Sequence, residues 1–282
     1  MNLTNNQNLP EPIFNAIVKQ QEKYAASHDR PSDISATSLI DSPQVVELRR
    51  KHAEEMNEDA SDMIWSLLGS TVHDILESAT DSAHAENRLY AEYEGWTVSG
   101  QYDYFKDGFL ADYKICSVWE AMDGLKASRA EQLNVLKRLL NHNGETVNEL
   151  AVVSIYRDWS RPRAEREENY PKQQVQVHPV AMWDDEYTDE FISSRIKAHQ
   201  AVRSGGEGFC SAEDRWARPD VWAVMKAGRK RALKLHDNEA SANQHANVVD
   251  GYVEFREGES VRCQMYCSVS DRCPQFKEMS NH

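Results

Sequence analysis

The chain has 282 residues, of which 40% are hydrophobic and 28% are charged, a composition typical of a globular protein with one elaborated domain or two small ones. Its formal net charge of −14 argues against a surface coated with phosphate-binding groups, although a local basic groove on an acidic body still permits a nucleic-acid enzyme. No apolar run approaches the roughly 18 residues of a membrane span, and the first residues lack the basic and apolar regions of a signal peptide. We therefore expect a cytoplasmic protein that does not bind membranes.

Helices dominate the predicted beginning of the chain. Residues 1–58 form a helical lead-in, with one helix around Ile13 to Tyr24 and another starting at Ser42 and Pro43. The following helix, residues 61–79, has Ser61 as its predicted N-cap and repeats apolar side chains at helical spacing.

A β-hairpin is predicted next, at residues 100–117, after a segment rich in aromatic and β-branched residues. Its two-residue turn is Asp107-Gly108, a pair typical of tight hairpins. The elements expected after it are an amphipathic helix at 128–142, an apolar strand of buried type at 149–160 and a further strand at 173–182.

The last third of the chain has a mainly helical pattern from Asp184 onward, and this includes residues 219–236. The predicted fold is α/β, with a central mixed sheet flanked by helices at residues 59–183 and a helical, cysteine-bearing extension at 184–282.

Charged residues in the middle of the hairpin strands point to a cation site. If Lys106 faces Phe109, Asp103 lies opposite Asp112, with Cβ atoms about 5 Å apart. Lys114 shares their face, so two acids meet one ammonium group and one negative charge stays unpaired. Such an arrangement is costly in a buried site unless a cation binds, and Mg²⁺ or Mn²⁺ prefers oxygen ligands. The alternative is a solvated face with salt bridges.

The preceding helix supplies a possible third ligand. Gly69, His73 and Glu77 are spaced by four residues and therefore lie along one stripe of the helix. Without the hairpin, a solvated helix face would explain this stripe as well.

Taken together, these stretches resemble the PD-(D/E)XK nuclease superfamily, specifically its RecB-like exonuclease branch. That branch has a G-x-x-x-H-x-x-x-E helix, a lone Asp on one strand, an acid-x-Lys on the next strand and then a Gln-bearing helix. The matching residues are Gly69, His73 and Glu77, then Asp103, then Asp112 and Lys114, and finally Gln132. Leu136 and Ile115 depart from the pattern, where the family often has Tyr and Thr, but both lie outside the metal-binding positions.

The resemblance covers about residues 60–160 and implies a restriction-endonuclease-like core with assigned roles. The implied ligands of Mg²⁺ or Mn²⁺ are His73, Asp103, Asp112 and the backbone carbonyl of Tyr113. Lys114 would orient or deprotonate the attacking water. Gln132 would position DNA or the lysine, and Glu77 would orient its helix or support the ligands.

The cysteines suggest a second metal site. Five cysteines in a chain with no export signal argue against a disulfide framework. Cys263, Cys267 and Cys273 fall within eleven residues, and Cys210 precedes them. Thiolate ligation of a 4Fe–4S cluster or of structural Zn²⁺ explains this grouping, and the spacing does not separate the two. Cys116 is expected to be a small core residue.

A subset of RecB-like nucleases is similar in using C-terminal cysteines to hold an iron–sulfur cluster, which favours 4Fe–4S here. In many of those proteins one ligand precedes the nuclease helix. This chain has no cysteine there, so Cys210 is the predicted fourth ligand.

Basic residues outside the hairpin are candidates for DNA contact. Arg157 and Arg161 lie near a strand end, with Trp159 available to stack on a base. The other predicted phosphate contacts, on an expected helix, are Lys226, Arg229, Lys230 and Arg231. A solvated basic face is the alternative for that helix.

The sequence thus predicts a metal-dependent DNA exonuclease that acts on DNA ends or single strands. One alternative is a noncatalytic nucleic-acid-binding protein with a structural zinc site. Another is a nuclease subunit that is active only with partners in a recombination complex. The segment SATSLIDSP, residues 35–43, also resembles phage-encoded members, which would place the protein in a host cytoplasm.

Overall fold

The computed structural model describes residues 2–26, 31–81 and 87–280. The chain divides into two compact units. Unit 1 comprises Met1–Asp41 and His52–Gly206, and unit 2 comprises Ser42–Lys51 and Glu207–His282. The sequence predicts domain boundaries at residues 58 and 183. These stay a prediction, because the two units are defined by packing alone. None of the helices in the described residues is both long enough and apolar enough to cross a membrane.

Helices of both units are numbered along the chain. They are α1 (Glu11–Ala26), α2 (Ala36–Ile40), α3 (Pro43–Lys51), α4 (Ile64–Ser78), α5 (Val118–Asp123), α6 (Ala127–His142), α7 (Arg161–Arg166), α8 (Asp185–Arg203), α9 (Glu239–Val249), α10 (Val261–Met265) and α11 (Pro274–Ser280). Short 3-10 helices occupy Ala60–Met63 and Ser270–Arg272.

The strands are numbered in the same way. They are β1 (Asn2–Thr4), β2 (Ile34–Ser35), β3 (Asn57–Asp59), β4 (Arg88–Tyr93), β5 (Trp96–Gln101), β6 (Tyr104–Lys106), β7 (Phe109–Cys116), β8 (Glu149–Tyr156), β9 (Val175–Val180), β10 (Ala217–Arg218), β11 (Val221–Met225), β12 (Lys234–His236), β13 (Tyr252–Arg256) and β14 (Glu259–Ser260).

The main sheet of unit 1 has the strand order β6-β7-β8-β9. Strands β7 and β8 run parallel, and the other two pairings are antiparallel. Among the described residues, this unit also has a second sheet, β2-β5-β4, and a parallel pair, β1-β3. A mixed sheet with helices before and after it confirms the predicted α/β fold class.

The tight turn of the hairpin forms as its residues predict. Asp107 and Gly108 have φ values of 51° and 82°, the positive values that this kind of two-residue turn requires. Lys106 pairs with Phe109, which confirms the expected register. The Gly108 carbonyl also accepts hydrogen bonds from the backbone N–H groups of Asn148 (2.7 Å) and Glu149 (3.1 Å).

Helix α6 covers one face of the main sheet because its apolar stripe is long and continuous. Its residues Leu133, Leu136, Leu139 and Leu140 are buried. They belong to one core cluster with Leu110 of β7, Val152 of β8 and Ile192 of α8. Gly100 of β5 lies so close to this helix that an added Cβ would stand 2.6 Å from Leu136 and 2.8 Å from Leu139.

The beginning of α4 differs from the sequence prediction. Ser61 is not the N-cap, because residues Ala60–Met63 form a 3-10 turn before the α-helix starts at Ile64. The cap of that turn is Asp59, whose carboxylate accepts a hydrogen bond from the Ser61 N–H at 3.1 Å. Asp59, two residues before the predicted cap, therefore caps this turn.

Unit 2 contains more β-structure than its sequence suggested. The prediction of a helix at residues 219–236 is wrong, because this segment forms the strands β11 and β12 joined by a loop. Val221, Trp222 and Val224 favour a strand, and Gly228 has a φ of 82°, which no helix contains. The three-stranded sheet β12-β11-β13 packs against α9 through Val224, Ala242 and Ala246.

Candidate functional site

Strand β7 orients the two central residues of the predicted site. Asp112 lies beside Val152 and Lys114 beside Ser154 in the parallel pairing with β8. Because side chains alternate along a strand, Asp112 and Lys114 share the face of the sheet that α6 covers. The Asp112 side chain is only 5% exposed, and that of Lys114 is 19% exposed. Both are thus charged groups at the edge of the core.

Asp103 reaches the site by a different route from the predicted one. The hairpin pairing begins at Tyr104, which faces Ala111, and β5 ends at Gln101. Asp103 therefore lies in a break between two strands, one position beyond the paired residues. From there its Oδ2 accepts a hydrogen bond of 2.6 Å from the backbone N–H of Tyr113.

Helix α4 brings His73 to the same place. The His73 Nδ1 is 3.4 Å from Oδ1 of Asp103, and its ring meets the Tyr113 ring edge-on with centroids 6.3 Å apart. These contacts place His73 beside Asp103, and Asp103 beside the backbone of Tyr113. That these residues and Asp112 form one metal site stays a prediction. Glu77 and Gln132 are half-buried on α4 and α6, and within the described residues neither side chain bonds to this group.

The electrostatics of the site leave one oxygen atom without a partner. The Lys114 Nζ is 2.6 Å from Oδ1 of Asp112. The second oxygen, Oδ2, is buried and has no hydrogen-bond partner among the described residues. An unpaired buried carboxylate oxygen is costly, so this atom is a natural ligand for a cation.

The two carboxyl groups differ in acidity for a physical reason. Burial raises the pKa of Asp112, and the charge of Asp103 adds to the effect while Lys114 opposes it. Burial also acts to raise the pKa of Asp103, but the hydrogen bond to His73 and the charge of Lys114 outweigh it and the pKa is lowered. Asp103 therefore carries the more stable negative charge of the two.

The arrangement is not a closed metal cage. Across the described parts of the chain, no three His, Cys, Asp or Glu side chains are placed to hold one metal ion as they stand. The side chains of Asp103, Asp112 and His73 would have to move closer together to bind one ion with their carboxylate oxygens and ring nitrogen.

Arg129 and Glu120 belong to the surroundings of the site and were missed by the sequence analysis. The Arg129 Nε is 3.4 Å from a Glu120 oxygen, and the charge of Arg129 acts to lower the pKa of Asp112. Arg129 lies three residues before Gln132 on α6 and so on the same side of that helix. The three-residue spacing from Gln132 is the sequence pattern that could have identified Arg129 as a residue near the site.

An exposed stacking pair was also missed. The guanidinium of Arg157 lies over the ring of Trp65 at 4.3 Å from its centroid, and Trp65 is 60% exposed. Trp159, the residue expected to stack on a base, instead donates its indole N–H to the Pro171 carbonyl and packs beside Tyr170. Arg161 is exposed and lies 4.0 Å from Glu165.

The predicted cysteine ligands meet in unit 2. Cys210, Cys263, Cys267 and Cys273 line one pocket, together with Arg215 and Arg262 and with Val45 and Leu48 of α3. Burial raises the pKa of Cys210 to about 11 and also raises that of Cys263. Cys116 is buried elsewhere, in a cluster with Val118 and Tyr156 of unit 1, which confirms its expected core role.

The basic residues of unit 2 lie on the β11–β12 loop rather than on a helix. Arg229, Lys230 and Arg231 are exposed there, and no acidic side chain among the described residues forms an ion pair with them. Lys226 differs, because its Nζ donates to the Val249 carbonyl near the end of α9 at 2.8 Å. Three of the four predicted phosphate contacts thus remain available.

Comparisons with known proteins do not identify a family. No family model matches the chain, and no curated protein matches it. The chain is similar to the crystal structure of SSO0001, with 15% identity, a TM-score of 0.49 and alignment over 69% of this chain and 89% of that one. It is also similar to a Eubacterium rectale protein described as a "Putative exonuclease", with 12% identity and a TM-score of 0.33 over 45% of this chain and 48% of that one. Both likenesses are distant, so the function must be argued from the residues of this chain.

Proposed function

We propose that this chain is a divalent-metal-dependent nuclease that hydrolyses DNA phosphodiester bonds at DNA ends or in single strands. The observation that carries the proposal is the buried Oδ2 of Asp112, which has no hydrogen-bond partner in the described residues. The charges of Asp103 and Lys114 both act on this carboxylate, and such a group of charges suits metal-assisted hydrolysis of a phosphate ester.

The residues present fit Mg²⁺ or Mn²⁺. The proposed ligands are His73, Asp103, Asp112 and the backbone carbonyl of Tyr113. Lys114 binds one oxygen of Asp112 and so leaves the other for the ion. When bound, the ion lowers the pKa of a water molecule and offsets the charge of the phosphate.

The other residues of the site act on the water and the substrate. As an ammonium group, Lys114 orients the attacking water and offsets the charge that builds up on the phosphate. Gln132 positions DNA or the lysine from α6, while Glu77 supports the ligands from α4. Arg129, which lies on the Gln132 side of α6, adds a positive charge for a neighbouring phosphate.

DNA contact in unit 1 is assigned to Arg157, Trp65 and Arg161. An exposed aromatic ring with an arginine over it offers a flat surface for a base and a charge for the backbone, and such stacking tolerates any base. In unit 2, Arg229, Lys230 and Arg231 supply phosphate contacts from the β11–β12 loop, and Lys226 supports that loop through its bond to Val249.

We also propose that the four cysteines of unit 2 hold a 4Fe–4S cluster. Their thiols share one pocket with two arginines, whose charge would balance the thiolates of a bound cluster. The raised pKa of Cys210 keeps its thiol protonated at neutral pH, and ligand formation would displace that proton. Structural Zn²⁺ is the alternative, and a brown protein with iron and sulfide that absorbs near 400 nm would decide for the cluster.

Five free cysteines suit a reducing compartment, so we place the activity in the cytoplasm. A DNA-cleaving enzyme of this kind could act alone or with partners in a recombination complex. Activity of the purified chain by itself distinguishes these two cases.

The decisive experiment is cleavage of labelled single- and double-stranded DNA with Mg²⁺ or Mn²⁺. Lys114→Ala and Asp112→Asn should lower the cleavage rate by about 10²–10⁴-fold, the usual contribution of a positioned catalytic group. Asp107→Asn is the matched control: it lies in the turn of the same hairpin, and Asn accepts its positive φ.

Binding of DNA without metal-dependent cleavage would instead favour a noncatalytic binding protein with a structural zinc site. Equal loss of activity in Asp107→Asn would show that the hairpin, rather than its charges, was disturbed.

A further inference from the structure

Two histidines of unit 2 lie side by side, outside both candidate sites. His236 is the last residue of β12, and His245 lies on α9. The Nε2 of His236 is 3.0 Å from the Nδ1 of His245, and the ring centroids are 5.2 Å apart with the planes at 60°. Both rings are half-buried and thus still reachable from solvent.

A short chain of hydrogen bonds fixes the tautomer of His236. The Ser241 hydroxyl has one proton, which it donates to the Asn238 carbonyl at 3.2 Å. Ser241 Oγ must therefore accept at the other contact, from the Nδ1–H of His236 at 3.0 Å. With its proton on Nδ1, His236 directs the lone pair of Nε2 toward His245.

We propose that His236 and His245 form a binding site for a divalent transition-metal ion of the Zn²⁺ class, completed by water. Neutral imidazole nitrogens are preferred ligands of such ions. Two nitrogens bound to one tetrahedral ion at about 2.0–2.1 Å lie roughly 3.3 Å apart, close to the 3.0 Å that separates them here. As the ion binds, both rings turn toward it, and the proton on His245 Nδ1 is exchanged through solvent for one on its Nε2.

The surroundings resemble those of metal-binding histidines. Such a histidine commonly gives its other N–H to an oxygen acceptor, which fixes the ring, and Ser241 does this for His236. Asn238 in turn accepts the Ser241 N–H at 2.9 Å as the N-cap of α9. The first turn of α9 therefore holds Ser241, the hydrogen-bond acceptor of His236, and the same helix carries His245. The two proposed ligands thus connect β12 to α9.

Cobalt(II) titration of the full chain tests this site, because the Co²⁺ spectrum reports its ligands. The wild type, with its cysteine pocket loaded as isolated, should bind one further Co²⁺ with visible bands but no thiolate charge-transfer band. His236→Gln and His245→Gln should lose this spectrum. Ser241→Ala should keep both ligands but bind about 10–100-fold more weakly, the usual effect of removing a bond that orients a ligand.

Matched controls separate this proposal from the others. His52→Gln removes a histidine that contacts Glu55 instead and should bind Co²⁺ like the wild type. Nuclease activity and the cysteine-bound metal should be unchanged in the His236 and His245 variants, so failure of one proposal is distinguishable from failure of the other. If a variant folds poorly, Cu²⁺ bound to the wild type should still show paramagnetic resonance coupling to two nitrogens. Unchanged Co²⁺ binding in both histidine variants, or coupling to no nitrogen, would overturn the site.

Discussion

The carboxylate site of unit 1 and the cysteine pocket of unit 2 are held in different ways. Asp112 and Lys114 lie on an eight-residue strand that pairs with a neighbour on each side. The pocket instead relies on α10, which has five residues, and on a 3-10 helix of three. Helices this short have little stability of their own.

If both sites bind metal as proposed, the carboxylate site should form without its ion, whereas the cysteine pocket should depend on its metal for stability. The pairing with β8 and the leucines of α6 hold the strand that carries Asp112 and Lys114. The cysteines come from short segments, and Val45 and Val269 are buried residues that line the same pocket. We therefore expect metal loss to abolish activity in unit 1 but to loosen the structure in unit 2.

The largest expected effect is on the cysteine pocket. Cys263→Ser should lower the bound metal and destabilise unit 2 by several kcal/mol, since structural metal sites contribute on the order of 10 kcal/mol to folding. Calorimetric unfolding together with metal analysis measures both quantities. Cys116→Ser, the matched control in the core of unit 1, should retain all the metal. Full metal content in Cys263→Ser would refute the proposed ligand set.

A smaller effect is expected in the core that supports the carboxylates. Gly100→Ala places a methyl group against Leu136 and Leu139, which are buried and can yield little. Overpacking of this kind should cost about 1–3 kcal/mol of unfolding free energy, while the cysteine-bound metal stays in place. Chemical denaturation is the measurement, and an unchanged midpoint would mean that α6 moves more freely than its packing indicates.

The smallest effect concerns the pH dependence of Mg²⁺ or Mn²⁺ affinity. Burial raises the pKa of Asp112, and only the carboxylate form can bind the ion. Affinity should therefore rise as the pH increases through that raised pKa, by at most tenfold or about 1.4 kcal/mol per pH unit for one proton. Calorimetric titration at several pH values measures this, and Asp112→Asn should flatten the slope. An affinity that falls with rising pH would contradict the assignment.

Local patterns predicted how the central side chains of the candidate site are placed. The turn at Asp107-Gly108 set the hairpin register, and strand alternation then placed Asp112 and Lys114 together. Helical spacing placed His73 on one stripe of α4, and the structure places its Nδ1 3.4 Å from Oδ1 of Asp103. Each of these conclusions needed only residues that are close in sequence.

The features that were missed depend on distant parts of the chain. Trp65 and Arg157 are 92 positions apart in sequence, so no local pattern could pair them. The break before Tyr104 follows from Tyr102, which is buried in the core instead of continuing the strand. The basic residues between positions 226 and 234 are spaced as they would be on a helix. Gly228 was the one residue in that stretch that indicated a loop between two strands.

Gly108 takes part in both strand pairings of β7, with β6 and with β8. Its backbone turns β6 into β7, and its carbonyl receives the first N–H groups of the β8 region. A side chain there would strike Asn148. The φ of 82° would strain any residue with a side chain at this position, so we expect a larger residue to disturb the pairing of β7 with β6 and with β8 together.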